Sequence, residues 1–335
     1  MTGPRIAIVG ATGLVGEMLL RILDERRFPL SRLDLFASSR SAGAQIEALG
    51  QSSAVKPLDV QHPPDFRSID LAFFAAGSDV SRALAPAAAA GGTIVIDKSA
   101  AFRLTPDVPL IVPEVNAEMM RGHNLIANPN CAVIPLAVML APVARRLGLQ
   151  WVSVATYQSV SGAGRDALRE FERQLSGDRT PPSVLPRRIA GNVFPDNGPV
   201  DDTGYNEEER KIAAEFKKIL SDETIHISAT SVRVPVAVGH GEVVAFGTRQ
   251  SATREQIAQV LREAAGIKFL EGNSYATPME VVGSDDVVVG RLRADDAHPG
   301  GYLAWVMSDN LRKGAATNAV QIAEAALSTK VGARA

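Results

Sequence analysis

The stretch Ile6-Ala7-Ile8-Val9-Gly10-Ala11-Thr12-Gly13-Leu14-Val15-Gly16 runs from four apolar residues into three glycines spaced three apart, and Leu14, Met18, Leu19 and Ile22 then recur at helical spacing. A short apolar run bounded by glycine reads as a buried strand, and the period that follows reads as a helix over residues 13–23. The glycines permit a tight turn and close approach of a ligand to the backbone, and the helix start offers unpaired N–H groups to an anion. The glycine spacing is looser than the usual GxGxxG fingerprint, so the reading rests on the strand before it and the helix after it. In that context Gly10, Thr12, Gly13, Leu14 and Val15 are expected to bind the pyrophosphate of a dinucleotide.

Short apolar runs at residues 33–37, 69–75, 93–96 and 125–127 continue the rhythm, alternating with helix-period segments. That alternation is the pattern of a parallel sheet covered on both faces, an α/β fold with an N-terminal Rossmann-type dinucleotide-binding domain. The second strand ends in Ala37-Ser38-Ser39-Arg40-Ser41, where an NAD enzyme commonly places a carboxylate for the ribose hydroxyls. The hydroxyls of Ser38 and Ser41 and the guanidinium of Arg40 suit a 2′-phosphate instead, which favours NADP over NAD. From Trp151 the texture changes to long alternating strands over residues 151–160, 225–238 and 242–248, the mark of a mixed α+β domain. The expected organisation is an NADP-binding domain over residues 1–130, completed by a C-terminal helix over 312–330, and a second, mixed α+β domain over 131–311. Residues 176–204 are rich in Pro, Gly, Asp and Asn and read either as an ordered excursion or as a mobile loop, without a regular element.

Composition narrows the function. The chain has 335 residues, enough for two domains, with 46% hydrophobic and 21% charged residues. Lys plus Arg total 35 against 37 Asp plus Glu, so a net charge of -2 supplies no field for a phosphate backbone or an anionic membrane. The longest apolar stretch, residues 131–144, is interrupted by Pro135 and Pro142 and falls short of the roughly 20 residues that span a bilayer. Neither nucleic acid nor membrane is an expected partner, and no export signal opens the sequence. The single cysteine, Cys131, excludes an internal disulfide framework and multi-cysteine metal sites, so no metal and a cytoplasmic location are expected.

Cys131 follows Asn128-Pro129-Asn130 and precedes a helix-like run over residues 132–147. A thiol at a helix start has its thiolate favoured by unpaired N–H groups and the dipole, so Cys131 reads as a nucleophile. A thiolate used with a nicotinamide points to aldehyde chemistry through a thiohemiacetal and a thioester, which requires a proton acceptor. His240 stands out in Arg233-Val234-Pro235-Val236-Ala237-Val238-Gly239-His240-Gly241. Arg233 and His240 are seven positions apart and would face opposite ways on an unbroken strand, so Pro235 or Gly239 must bend the chain if both line one pocket.

Gly10–Gly16, Ser38–Gly43, Ser99-Ala100-Ala101-Phe102-Arg103, Val112-Pro113-Glu114-Val115-Asn116, Asn128–Cys131, Tyr157-Gln158-Ser159-Val160-Ser161-Gly162-Ala163-Gly164, Arg233–His240 and Ser308-Asp309-Asn310-Leu311-Arg312-Lys313-Gly314-Ala315-Ala316, in this order, resemble the aspartate-semialdehyde dehydrogenase family over nearly the whole chain. The resemblance implies NADPH-dependent reductive dephosphorylation of L-aspartyl-4-phosphate to L-aspartate 4-semialdehyde and phosphate, on the route to lysine, threonine and methionine. It implies Cys131 as the acyl-enzyme nucleophile, Gln158 as the residue orienting the substrate and His240 as the acid-base residue. Arg233 would bind the substrate carboxylate, Glu208 its ammonium, and Arg103, Asn130 and Lys211 the phosphate. Gly77, Gly162 and Asn310 would join the cofactor site, and the assembly would be a homodimer formed through the second domain. Glu208 and Lys211 lie three apart on the helix expected at Glu207–Leu220, whose Ile212, Phe216 and Ile219 form an apolar stripe.

The sequence departs from the family in Ala132-Val133 after the cysteine, in Pro135 where relatives commonly carry Gln, and in Asp196 after Pro195. Pro135 lacks an N–H and is tolerable only near a helix start. The competing functions are a related acyl-phosphate reductase, such as an N-acetyl-glutamyl-phosphate reductase, and a non-catalytic dinucleotide-binding paralogue. Retention of Cys131, Gln158, Arg233 and His240 together favours an active enzyme, and Glu208 favours a substrate with a free ammonium. Replacement of Arg40 by Asp is expected to weaken NADP binding by about ten-fold more than NAD binding, the equivalent of one charge-assisted hydrogen bond. Equal dissociation-constant changes for the two cofactors would place Arg40 outside the adenosine pocket.

Overall fold

The computed structural model describes residues 3–195 and 197–332; Asp196, one of the departures noted above, lies outside them. The chain divides into two compact units, Met1–Pro129 with Ala315–Ala335, and Asn130–Gly314. The first begins with β1 (Arg5–Val9), α1 (Leu14–Glu25), β2 (Arg32–Ala37), β3 (Gln45–Ala48), β4 (Gln51–Pro57), β5 (Leu71–Phe74), α2 (Ser78–Ala90), β6 (Ile94–Asp97), α3 (Pro113–Asn116) and β7 (Leu125–Ala127). Its seven strands lie in the order β3-β4-β2-β1-β5-β6-β7, all parallel except β3.

Side chains alternate across a strand, so the apolar run in β1 feeds two cores at once. Ile6 and Ile8 pack with Leu19, Ile22 and Leu23 of α1 and with Val320, Ile322 and Ala323 of the C-terminal helix Thr317–Gly332. Ala7 and Val9 face the other way, onto Leu84, Ala85 and Ala88 of α2. The strand order reverses at β1, and its carboxyl end is the topological switch point where ligands of such sheets bind. There the turn demands glycine: Gly10 has φ +94°, and a Cβ at Gly16 would lie 2.1 Å from the Gly10 carbonyl oxygen. The β3–β4 hairpin is absent from the sequence reading, because its residues are mostly polar or half-exposed and carry no buried run.

The second unit contains α4 (Val133–Leu147), β8 (Leu149–Gln158), α5 (Arg165–Leu175), α6 (Glu207–Leu220), β9 (His226–Arg233), β10 (His240–Thr248), α7 (Arg254–Glu263), β11 (Ile267–Phe269), α8 (Pro278–Val281), β12 (Val287–Ala294) and β13 (Gly301–Ser308). Its six strands form a mixed sheet in the order β11-β12-β13-β10-β8-β9. Even-numbered residues of β8 and β10, including Val154, Thr156, Gln158, His240, Glu242, Val244 and Phe246, are buried on one face.

Two expectations need adjustment, and one alternative left open is decided. The strand read over residues 225–238 stops at Arg233, because Pro235 cannot donate to a ladder and Gly239 turns the chain at φ +98° before β10 begins. The C-terminal helix does not start cleanly at Arg312: a π-helical turn, Arg312–Ala316, precedes it. The described residues within 176–204 form the ordered excursion. Glu170 accepts the N–H groups of Ser183, Val184 and Leu185, and the Gln174 side-chain oxygen accepts those of Ile189 and Ala190. These bonds hold Glu170 below the ordinary carboxylate range despite its burial. Among the described residues no helix is long and apolar enough to cross a membrane.

Substitution of Gly16 by Ala drives a methyl group into the Gly10 carbonyl and is expected to cost about 1–3 kcal/mol, the usual range for an overpacked site. Chemical denaturation should report that loss, accompanied by weakened dinucleotide binding.

Candidate active site

Pro129 leads the chain into Asn130, and Asn130 is fixed at every polar group. Its N–H donates to Glu215 Oε2 (2.7 Å), its Nδ2 donates to Glu208 Oε1 (2.8 Å), and its Oδ1 accepts the Ala132 N–H (2.8 Å). Its carbonyl accepts the N–H groups of Val133 and Ile134, so Asn130 opens α4 and Cys131 stands at the helix start. Pro135, the third residue of α4, falls in the first turn, where no N–H is needed.

Cys131 Sγ lies 3.4 Å from His240 Nε2, although 109 residues separate them in the chain. The sulfur side of the site has glycine walls. A Cβ at Gly314 would stand 3.3 Å from Cys131 Cβ, and one at Gly162 would stand 3.2 Å from both His240 Nε2 and Arg233 Nη1. The bend after β9 therefore does what the seven-residue spacing required and brings Arg233 and His240 together. Arg233 is 7% exposed and donates from Nη1 to the Ser159 carbonyl (2.7 Å). Burial pulls its guanidinium below its ordinary value, opposed by the charges of Cys131 and Glu208. Gln158, at the end of β8, donates from Nε2 to Glu208 Oε1 (3.2 Å).

Glu208 thus receives two donors on one oxygen, at the start of a helix whose bounds match the sequence reading and whose capping box joins Asn206 and Glu209. Lys211 pairs with Glu207 (2.6 Å) rather than with Glu208. Asn310 is 2% exposed, and its amide is taken up by Gly239, Ser159 and Ser161, so its side chain is turned into the protein. Arg103 belongs to the first unit. There its Nε and Nη2 donate to the carbonyls of Asn128 and Lys98 at the ends of β7 and β6.

The expected cofactor residues also lie in the first unit. Gly13 caps α1 without a side-chain acceptor, leaving its first-turn N–H groups for an anion. Gly77, with φ +93°, opens α2. Ser38 and Arg40 are exposed beside the short turn Ser39–Ser41, and Thr12 Oγ1 donates to Ser41 Oγ (3.3 Å). A donor-rich turn without a carboxylate fits a phosphorylated dinucleotide. Among the described residues, no group of His, Cys, Asp and Glu is arranged to hold a metal ion.

Two semialdehyde dehydrogenase family models match the chain, the NAD binding domain over residues 5–123 and the dimerisation domain over residues 140–313. The aspartate-semialdehyde dehydrogenase of Aquifex aeolicus is 43% identical over 333 residues, covering 96% of this chain and 97% of its own. The chain belongs to the aspartate-semialdehyde dehydrogenase family. That of Bacillus subtilis is 42% identical over 96% of this chain and 97% of its own. A crystal structure of aspartate semialdehyde dehydrogenase II from Vibrio cholerae, complexed with ASA, matches with TM-score 0.93 and 40% identity, covering 98% of this chain and 99% of that one.

Three residues of this semialdehyde dehydrogenase site escaped the sequence reading: Glu215, Ser159 and Glu242. Glu215 is 1% exposed and follows Glu208 by two helical turns, so an acid on an otherwise apolar stripe was the available signal. Glu242, also 1% exposed, sits two residues beyond His240 on the same buried face, and both its oxygens lack a hydrogen-bond partner. Burial pushes its carboxyl well above the ordinary value of 4.5, favouring the neutral form. The unfolded chain releases this proton near the ordinary value and the folded chain holds it. The contribution is therefore fully present below 4.5 and is lost as pH rises toward the folded-state value. Glu242→Gln, neutral at all pH, should gain on the wild type by about 1.4 kcal/mol per pH unit over that window. Urea denaturation of both proteins at pH 5 and pH 7 measures the difference, and parallel curves would mean that Glu242 is ionised in the fold.

Proposed function

We propose that this chain reduces L-aspartyl-4-phosphate to L-aspartate 4-semialdehyde and phosphate with NADPH, through a thioester on Cys131. The observation that carries the reading is the 3.4 Å approach of Cys131 Sγ to His240 Nε2, with Arg233 and Glu208 held beside them. Family membership over nearly the full length supports it.

In the reductive direction the Cys131 thiolate attacks the acyl carbon of the acyl phosphate. A carbon–sulfur bond forms, the carbon–oxygen bond to phosphate breaks, and phosphate leaves with the bonding pair. Bound NADPH supplies the hydride that reduces the thioester carbon. His240 gives a proton to the oxyanion of the resulting thiohemiacetal, and takes it back as the carbon–sulfur bond breaks to release the aldehyde and restore the thiolate. Arg233 presents a planar fork to the substrate carboxylate, a contact that a lysine would not reproduce. Glu208 uses Oε1 for Asn130 and Gln158, which leaves Oε2 for the substrate ammonium. That acid also favours the aspartyl substrate over an N-acetylated one, since an acetamide would leave the carboxylate unpaired. Gln158 orients the acyl group, and Asn130 and Lys211 serve phosphate.

The first unit is the NADP-binding domain, with Gly10, Thr12, Gly13, Leu14 and Val15 on the pyrophosphate and Ser38, Arg40 and Ser41 on the 2′-phosphate. Gly77, at the start of α2, joins the same site. The second unit is catalytic and forms a homodimer. The outer face of its sheet supports this, since Trp305 packs against the exposed Tyr157 with ring centroids 5.8 Å apart, beside the partly buried Val243, Ala155, Ala245 and Leu303. We assign the enzyme to the cytoplasm.

Purified protein supplied with L-aspartate 4-semialdehyde, inorganic phosphate and NADP should form NADPH only when phosphate is present. Cys131→Ser should bind NADP normally and lose roughly a thousand-fold or more of this activity, as removal of a nucleophile does. Retention of a tenth of the activity would count against a covalent mechanism.

A further inference from the structure

His240 is described above by the nitrogen that faces the thiol. Its other nitrogen meets a single residue twice. Ser159 donates its backbone N–H to His240 Nδ1 at 3.1 Å, and the Ser159 hydroxyl stands 3.0 Å from the same atom. The hydroxyl is in turn 3.0 Å from Asn310 Oδ1. The Gly239 N–H donates to that same oxygen at 2.8 Å, which fixes which end of the amide faces Ser159. Asn310 Nδ2 donates to Ser161 Oγ at 3.0 Å. Ser159 is fully buried and its carbonyl accepts from Arg233, so its peptide is held on both sides.

An imidazole nitrogen offers either a lone pair or an N–H, never both. Accepting the Ser159 N–H leaves the neutral ring with its proton on Nε2, directed at Cys131. An acid-base cycle also needs the doubly protonated ring, and then the Nδ1–H would confront a backbone N–H that cannot turn away. The Ser159 hydroxyl resolves this conflict. It can accept from Nδ1–H when its own proton goes to Asn310 Oδ1, an acceptor already in place.

We propose that Ser159 and Asn310 are a positioning pair for His240: the Ser159 amide holds the neutral ring, and the Ser159 hydroxyl, turned onto Asn310, holds the imidazolium in the same place. The proposal rests on the acid-base role given to His240 above. The charged and titratable groups around the ring are accounted for. Cys131 faces Nε2 and favours the imidazolium, and Arg233 of β9 opposes it. Glu242 lies on the same strand face, where burial favours its neutral form, and Glu208 of α6 is engaged by Asn130 and Gln158. Asp309 is turned elsewhere, onto the N–H groups of Gly283, Leu311 and Arg312.

Nitrogen-15 NMR of histidine-labelled full-length protein tests the pair directly, with His240→Asn used to assign the signal. In the wild type the neutral ring should carry its proton on Nε2; a neutral ring protonated at Nδ1 overturns the proposal with no variant required. In Ser159→Ala the amide remains and the hydroxyl is lost, so the midpoint of the His240 titration should fall by about one pH unit, the scale of a lost hydrogen bond to a charged group. The matching limb of the kcat profile should move with it, kcat should drop about ten-fold, and KM for semialdehyde should stay within about two-fold. Ser159→Thr, which keeps the hydroxyl, should restore the titration. An unmoved midpoint in folded Ser159→Ala overturns the proposal. If the midpoint moves while Cys131→Ser proves fully active, the pair stands and the thioester mechanism falls.

Discussion

Asn130 is the residue on which the reactive part of this molecule depends. The chain must turn there from a strand-end loop into α4, and a buried turn leaves peptide groups that need partners. A carboxylate from α6, Glu215, takes the backbone N–H at 2.7 Å, and a second, Glu208, takes the side-chain amide at 2.8 Å. With the Asn130 oxygen spent on Ala132, the next residue has nowhere to go but the helix start. Cys131 is therefore positioned by two acids that never touch its sulfur. Loss of either leaves a buried donor unsatisfied, a defect of about 1–3 kcal/mol placed beside the nucleophile.

The same helix explains why acids can be there at all. Ile212, Phe216 and Ile219 bury α6 against its neighbours, and Glu208 and Glu215 occupy the same side of the helix, two turns apart. The apolar residues supply the attachment and the acids supply direction. Glu209 performs a third task, accepting the Ser231 N–H on β9 while completing the capping box. One helix thereby fixes both the cysteine loop and the strand that ends in Arg233.

Charge is handled differently at each point of the site. Burial disfavours the charged form of both Arg233 and Glu242 on one sheet face: it pulls the Arg233 guanidinium below its ordinary value and pushes the Glu242 carboxyl well above its own. At Arg233 the charges of Cys131 and Glu208 partly oppose that shift, whereas at Glu242 burial acts alone.

Much of this was legible in the sequence. The two-residue and 3.6-residue periods and the glycines at 10, 13 and 16 determined the buried strands, the first helix and the glycine turn between them, because each acts over a few neighbouring positions. The Glu207–Leu220 helix was readable to the residue from its apolar stripe, and Cys131 from its place before a helix. The β3–β4 hairpin was not, since its strands are half-exposed and carry no run of buried apolar residues. The partnership of Cys131 with His240, of Asn130 with Glu215, and of Ser159 with Asn310 across 151 residues was decided only by tertiary structure. A periodic pattern states which face of an element is buried. Which side chain it meets depends on strand order and register, and these arise only when the whole sheet closes its hydrogen bonds.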